Sequence, residues 1–85
     1  MNSVTLSISE LYRYCGKFPC SHNTFVSDDG YFDLYNNDGE LCCMDGEDVE
    51  VVGHNDGIWT LKNTHGDNDV YFSLTDAEFE VARVL

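Results

Sequence analysis

The chain has 85 residues, 42% of them hydrophobic and eleven of them aromatic, and carries 16 acidic residues against 4 basic ones for a net charge of −12. A single domain spanning 1–85 can close one core at this size, and the apolar content argues against disorder despite the charge. The charge excludes nucleic acid as a direct ligand, because phosphates would be repelled and no basic stripe exists to attract them.

The N-terminus opens with an apolar-alternating run, Val4-Thr5-Leu6, and then Ser7-Ile8-Ser9-Glu10. Ser7 with Glu10 three residues on has the form of a capping box. Ile8, Leu11, Tyr12 and Cys15 recur at i, i+3, i+4 and i+7, one apolar stripe over two helical turns. Gly16 suits the position after a helix end and Pro19 bars continuation, so the spacing predicts a short helix over 8–15.

The middle, 28–69, alternates short apolar runs with acidic glycine turns. Asp29-Gly30, Asp38-Gly39, Asp45-Gly46 and Asp56-Gly57 are strong hairpin signals, because a tight I′ turn needs positive φ at both central residues. A fifth turn stands at His65-Gly66-Asp67. Strands are expected over 24–27, 31–36, 40–44, 49–53, 58–63 and 70–74. Phe32 and Leu34 share one face, Val49 and Val51 face the core, and Trp59 with Leu61 opposes Ile58, Thr60 and Lys62. Trp59 is expected to be the largest core residue. At the C-terminus Thr75-x-x-Glu78 fits a capping box, yet Glu78-Phe79-Glu80-Val81 alternates as a strand does. The reading adopted is one turn at 75–77 and a closing strand to 84. The expected fold class is α+β, mostly β: a short N-terminal helix packed on an antiparallel β-meander over about 24–84, bent strongly or closed into a small SH3-like barrel.

Four cysteines invite a disulfide or a metal. Without a basic region followed by an apolar one at the N-terminus the protein is expected to be cytoplasmic, where structural disulfides are disfavoured. One zinc arrangement is available, Cys15, Cys20 and His22 with Cys42 or Cys43. Its first spacing is wide, and adjacent cysteines on a strand face opposite ways. Buried free thiols acting as small hydrophobes are preferred. Calcium fails on pattern: an EF-hand loop needs a ligand five residues before its glycine, where this chain has Phe25, Leu34, Leu41, Val52 and Leu61. No cofactor is expected.

Catalysis has little support. His22, His54 and His65 sit in or beside turns, no serine lies in a nucleophile elbow, and acids around Cys42 and Cys43 should raise thiol pKa values. The protein is therefore read as no enzyme. What remains is the acidic surface, with fifteen acids against Lys62 and Arg83 over 28–85, a net −13. Acids two apart on a strand stand about 6.6 Å apart on one face, comparable with the path between successive phosphates on a nucleic-acid strand. Asp48 with Glu50 and Glu78 with Glu80 form such rows, and Asp28, Asp29, Asp38, Glu40, Asp45, Glu47, Asp56, Asp67 and Asp69 are loop acids beyond them. The partner-binding set proposed from sequence is these loop acids with Asp48 and Glu50.

In charge and size the chain resembles the acidic DNA-mimic anti-defence proteins of phages and mobile elements, of anti-CRISPR or anti-restriction type. The resemblance carries over no individual residue. It implies a non-enzymatic inhibitor that occupies the basic nucleic-acid-binding groove of a partner such as a defence nuclease, with no membrane role. The alternative is a small SH3-like interaction or accessory module, binding through Tyr14, Tyr31 and Tyr35, whose charge serves solubility.

Overall fold

The computed structural model describes residues 2–20, 24–28 and 31–84, with the side chains of Thr24 and of 26–28 outside the description. The order is β1 (Ser3–Leu6), α1 (Ile8–Cys15), β2 (Thr24–Asp28), β3 (Tyr31–Tyr35), β4 (Leu41–Met44), β5 (Asp48–Asn55), β6 (Ile58–His65), β7 (Asn68–Thr75), α2 (Asp76–Ala82) and β8 (Arg83–Val84). The strands form two antiparallel sheets, β7-β6-β5-β1-β8 and β2-β3-β4. The mostly-β α+β class expected from the pattern is what the chain adopts. The described strands form two open sheets rather than a closed barrel: β1 leaves the N-terminus to pair with β5 on one side and β8 on the other, while β2–β4 turn away as a separate sheet.

Helix α1 has the expected bounds, and its first turn is capped by two different residues. Ser7 Oγ accepts from the Glu10 N–H at 3.3 Å. Asp45 Oδ1 accepts from Ile8 N–H at 2.8 Å and Ser9 N–H at 3.3 Å. Three of the four orphan donors of a helix start are thereby satisfied, one set from thirty-odd residues away in sequence. The Glu10 carboxylate turns to Arg13, so the reciprocal half of the expected capping box is not made. Gly16 ends the helix with φ −73°, in the right-handed region.

The C-terminal expectation is corrected. Residues Asp76–Ala82 are helical, and only Arg83–Val84 extend. Thr75 Oγ1 accepts from the Glu78 N–H at 3.2 Å and Glu78 Oε1 accepts from the Thr75 N–H at 2.8 Å, a complete capping box. In helical register Phe79 and Ala82 lie three apart on one buried face. That face, and two satisfied backbone donors, outweigh four residues of alternation.

The turns divide by geometry. Asp56 and Gly57 both have positive φ, 54° and 79°, as a I′ hairpin requires. At the other described Asp-Gly pairs only the glycine is left-handed, and the Asp29-Gly30 turn lies outside the described residues. One contiguous core joins both sheets and both helices, including Leu6, Ile8, Leu11, Leu34, Val49, Leu61, Leu74 and Phe79. Burying side chains of this kind stabilises by roughly 1.5–3 kcal/mol each before the entropy cost.

Trp59 only partly joins that core. It is stacked between His54 and Phe79, each 4.0 Å away by ring centroid, and its Nε1–H donates to Asp76 Oδ1 at 2.8 Å. An indole N–H needs a polar partner, which holds the ring at the rim of the core instead of its centre. No helix of the described residues is long and apolar enough to cross a membrane.

Candidate functional site

The meander places successive turns at opposite ends of the five-stranded sheet. The β6–β7 turn with Asp67 stands at one end, and Asp69 is the second residue of β7 there. Asp48, which starts β5, lies toward the same end, and Glu50 faces Lys62 across the β5–β6 ladder. Glu40, from the β3–β4 turn, meets Asp69 across an open cleft of about 420 Å³ lined also by Leu41, His65, Asn68 and Val70. Asp38 is at the exposed tip of that same β3–β4 turn. Asp56 belongs to the β5–β6 turn at the far end, so it does not join this surface. Asp28 pairs through its backbone with Tyr31, its side chain being outside the described residues, as is all of Asp29.

Two members of the sequence-derived set turn inward. Asp45 caps α1, and Glu47 Oε1 accepts from Met44 N–H at 2.7 Å and from Asn63 Nδ2–H at 3.1 Å. These carboxylates hold the β4–β5 turn, which is further tied to β1 by Gly46 N–H donating to Leu6 O at 2.8 Å. The expected row of Glu78 with Glu80 is lost as well: on α2 Glu78 is buried and Glu80 exposed, pairing with Arg83. Asp48 and Glu50 do share a face, but Asp48 accepts from the Thr5 hydroxyl and Glu50 lies 3.6 Å from Lys62.

The acids free to face a partner are therefore fewer and better placed. Asp38, Glu40, Asp67 and Asp69 are exposed, and none of them is within ion-pair distance of a cation among the described residues. Among the described residues Glu40 accepts only from Asn36 Nδ2–H, at 3.1 Å, and Asp69 only from the Thr64 hydroxyl, at 2.7 Å. Sequence reasoning missed His65 and Asn63, which link this surface to the core. Asn63 Nδ2 donates to Cys42 O at 2.9 Å, and His65 Nε2 lies 3.6 Å from Glu47 Oε1. A polar residue at 63, in phase with inward Leu61, was the available signal.

Of the aromatics proposed for a peptide-binding module, Tyr14 stacks on Phe18 at 4.9 Å, Tyr35 is half-buried, and Tyr31 is exposed. Among the described residues no ring contact joins any two of the three. The free-thiol expectation holds for Cys42 and Cys43, both fully buried. Burial, then the charge of Glu40, pushes the Cys42 thiol up to about 11. Burial, then the charge of Glu47, pushes Cys43 up further. Neither is an activated nucleophile.

Cys15 and Cys20 are not free: they are joined in a disulfide with Cα atoms 5.4 Å apart. The turn after α1, closed by Lys17 and Phe18 N–H donating to Tyr14 O, brings Cys20 back within the span a disulfide bridges. The zinc arrangement that the sequence made available but did not favour is not assembled among the described residues: Cys15 and Cys20 are bonded to each other, and Cys42 and Cys43 are free and buried. The one group there with metal-ligand spacing is Cys15, Cys20 and Glu78, while His22 lies outside them. Compared with known proteins, the chain matches no family model, no curated protein and no solved structure.

Proposed function

We propose that the protein is a non-enzymatic acidic inhibitor that occupies the basic nucleic-acid-binding groove of a target protein by mimicking DNA, as an anti-defence protein of anti-CRISPR type does. The observation that carries this reading is the end surface bearing Asp38, Glu40, Asp67 and Asp69, exposed and without countercharge among the described residues. Fixed negative charge on turns of a rigid sheet costs no reorganisation on docking and steers a basic partner into place. Asp48 and Glu50 share a face of β5 but are engaged by Thr5 and Lys62, so they add less to this charge. The activity is expected to need neither cofactor nor direct nucleic-acid contact, and the site of action to be the cytoplasm.

The test is capture of partners from host-cell lysates on immobilised protein, at low and high salt and with competing duplex DNA. A basic nuclease or other DNA-binding protein retained at low salt, and released by salt or DNA, is the expected result. The Asp38→Asn, Glu40→Gln, Asp67→Asn, Asp69→Asn variant should lose that partner while keeping its circular dichroism spectrum. Capture that persists in this variant and at high salt would sink the electrostatic reading in favour of an interaction module.

A further inference from the structure

We propose that Cys15, Cys20 and Glu78 form a redox-gated site for a thiophilic divalent cation, zinc in the first place, closed when the two cysteines are oxidised and open when they are reduced. This site stands apart from the acidic end surface and does not depend on what that surface binds.

Three elements build it. The helical stripe that runs from Ile8 through Leu11 carries Cys15 to the side of α1 that packs against the core. The turn anchored on Tyr14 O returns Cys20 to it. Helix α2, which packs against α1, brings Glu78. The two sulfurs and a carboxylate oxygen of Glu78 all lie within 4.8 Å of one another. Tetrahedral zinc, with bonds of about 2.3 Å to sulfur and 2.0 Å to oxygen, sets its ligand atoms roughly 3.3–3.8 Å apart. Small side-chain rotations therefore suffice once the sulfur–sulfur bond is broken. Thiolate sulfur selects zinc over the hard cations, and a water completes the fourth position.

A second observation points to a cation from the side of the carboxylate. Glu78 is only 3% exposed. Its Oε1 accepts the Thr75 N–H, yet no lysine, arginine or histidine among the described residues lies within ion-pair distance. A buried carboxylate with one backbone donor and no countercharge is costly. An ion held by the sulfurs beside it would supply that countercharge.

The gating step balances without an unnamed reagent. A thiolate of a dithiol reductant attacks one sulfur, the Cys15–Cys20 bond breaks through a mixed disulfide, and the reductant leaves as its own disulfide, having given two electrons. Zinc then displaces the protons of the two thiols, releasing them to solvent. Two thiolates and one carboxylate face two positive charges, leaving the loaded site at −1. A disulfide oxidant reverses the sequence: one zinc-bound thiolate attacks it to form a mixed disulfide, and the second displaces the dithiol product, which carries off the two electrons and takes two protons from solvent. The ion, its sulfur ligands gone, leaves.

Cobalt serves as the probe, since its tetrahedral thiolate complexes are coloured. The full chain, reduced with a phosphine, is expected to develop visible d–d bands and a near-ultraviolet thiolate charge-transfer band that saturate at one cobalt per chain and are bleached by zinc. The oxidised chain should develop neither, and Cys15→Ser should develop neither under reduction. Glu78→Gln keeps a capping-box acceptor and should bind at least about tenfold more weakly. X-ray absorption on the reduced zinc-loaded chain should count two sulfurs, with oxygen in the remaining positions. Absence of bands from the reduced chain, equal binding when oxidised, unchanged affinity in Glu78→Gln, retained bands in Cys15→Ser, or a sulfur count other than two would each overturn the proposal.

Discussion

Asp38-Gly39 and Asp45-Gly46 are the same dipeptide, with glycine φ of 80° and 82°, yet the first closes a hairpin within one sheet, the second links the two sheets, and their carboxylates have opposite employment. At the β4–β5 turn Asp45 faces inward to the N-terminus of α1, and Glu47 beside it binds Met44 and Asn63. At the β3–β4 turn Asp38 is exposed, and the Glu40 carboxylate accepts, among the described residues, from Asn36 alone. One acidic group holds the fold and the other is available to a partner. The dipeptide and its glycine conformation do not separate them; what separates them is where the turn stands in the fold and which donors that brings within reach.

The largest expected effect falls on the inward group. Asp45→Ala combined with Glu47→Ala should lower unfolding free energy by about 3 kcal/mol, since a helix cap and the half-buried charge-assisted bonds of the turn are lost together. Urea denaturation measures it, and a loss no greater than that of Asp38→Ala would erase the distinction between the turns.

Next is an alkaline limb. The Cys42 thiol is raised from its ordinary 9.0 to about 11, so the folded chain keeps a proton that the unfolded chain gives up first. Its contribution is whole below about pH 9, falls as pH rises, and is gone by about pH 11, a change of roughly 2–3 kcal/mol. The denaturation midpoint followed against pH in wild type and in Cys42→Ala isolates it, with a flatter limb expected in the variant. Because Glu40 contributes to the shift after burial, Glu40→Gln should move the limb slightly lower in pH. An unmoved limb would mean that the outward acids exert no field on the core.

Smaller still is the effect of the outward group on stability. The Asp38→Asn, Glu40→Gln, Asp67→Asn, Asp69→Asn variant should match or exceed wild type, by no more than about 1 kcal/mol, because it relieves self-repulsion and breaks only exposed bonds. Last, moderate salt should raise the wild-type denaturation midpoint by screening that repulsion, and raise the variant's less. Equal salt slopes would place the repulsion elsewhere on the chain.

This comparison changes how the surface should be tested. Reversing Asp38, Glu40, Asp45 and Glu47 together, the natural choice from sequence, mixes two acids available to a partner with two that hold the β4–β5 turn. Loss of binding in such a variant would report unfolding as readily as lost contact. Substituting Asp67 and Asp69 for Asp45 and Glu47 removes that ambiguity.

Where the signal was local, the chain could be read from its residues. Helix α1 follows from an apolar stripe, Ser7 and Pro19, and each β-hairpin strand from alternation between glycine turns, because backbone preference acts over a few residues. At 75–82 two local signals competed, and the helix won through burial of Phe79 and Ala82, which depends on what lies opposite. The disulfide between Cys15 and Cys20 likewise required the turn after α1 to close.

Length, patterning and net charge by themselves determined a small, mostly β domain with an acidic middle. Tertiary structure alone decided that the sheets stay open, that Asp45 and Glu47 bind donors of the fold itself while Glu40 and Asp69 share a cleft, and that Glu78 faces two sulfurs. The reason is physical: hydrogen bonding, burial and charge compensation depend on distances between residues far apart in the chain, and those distances are set only when strands pair and helices pack.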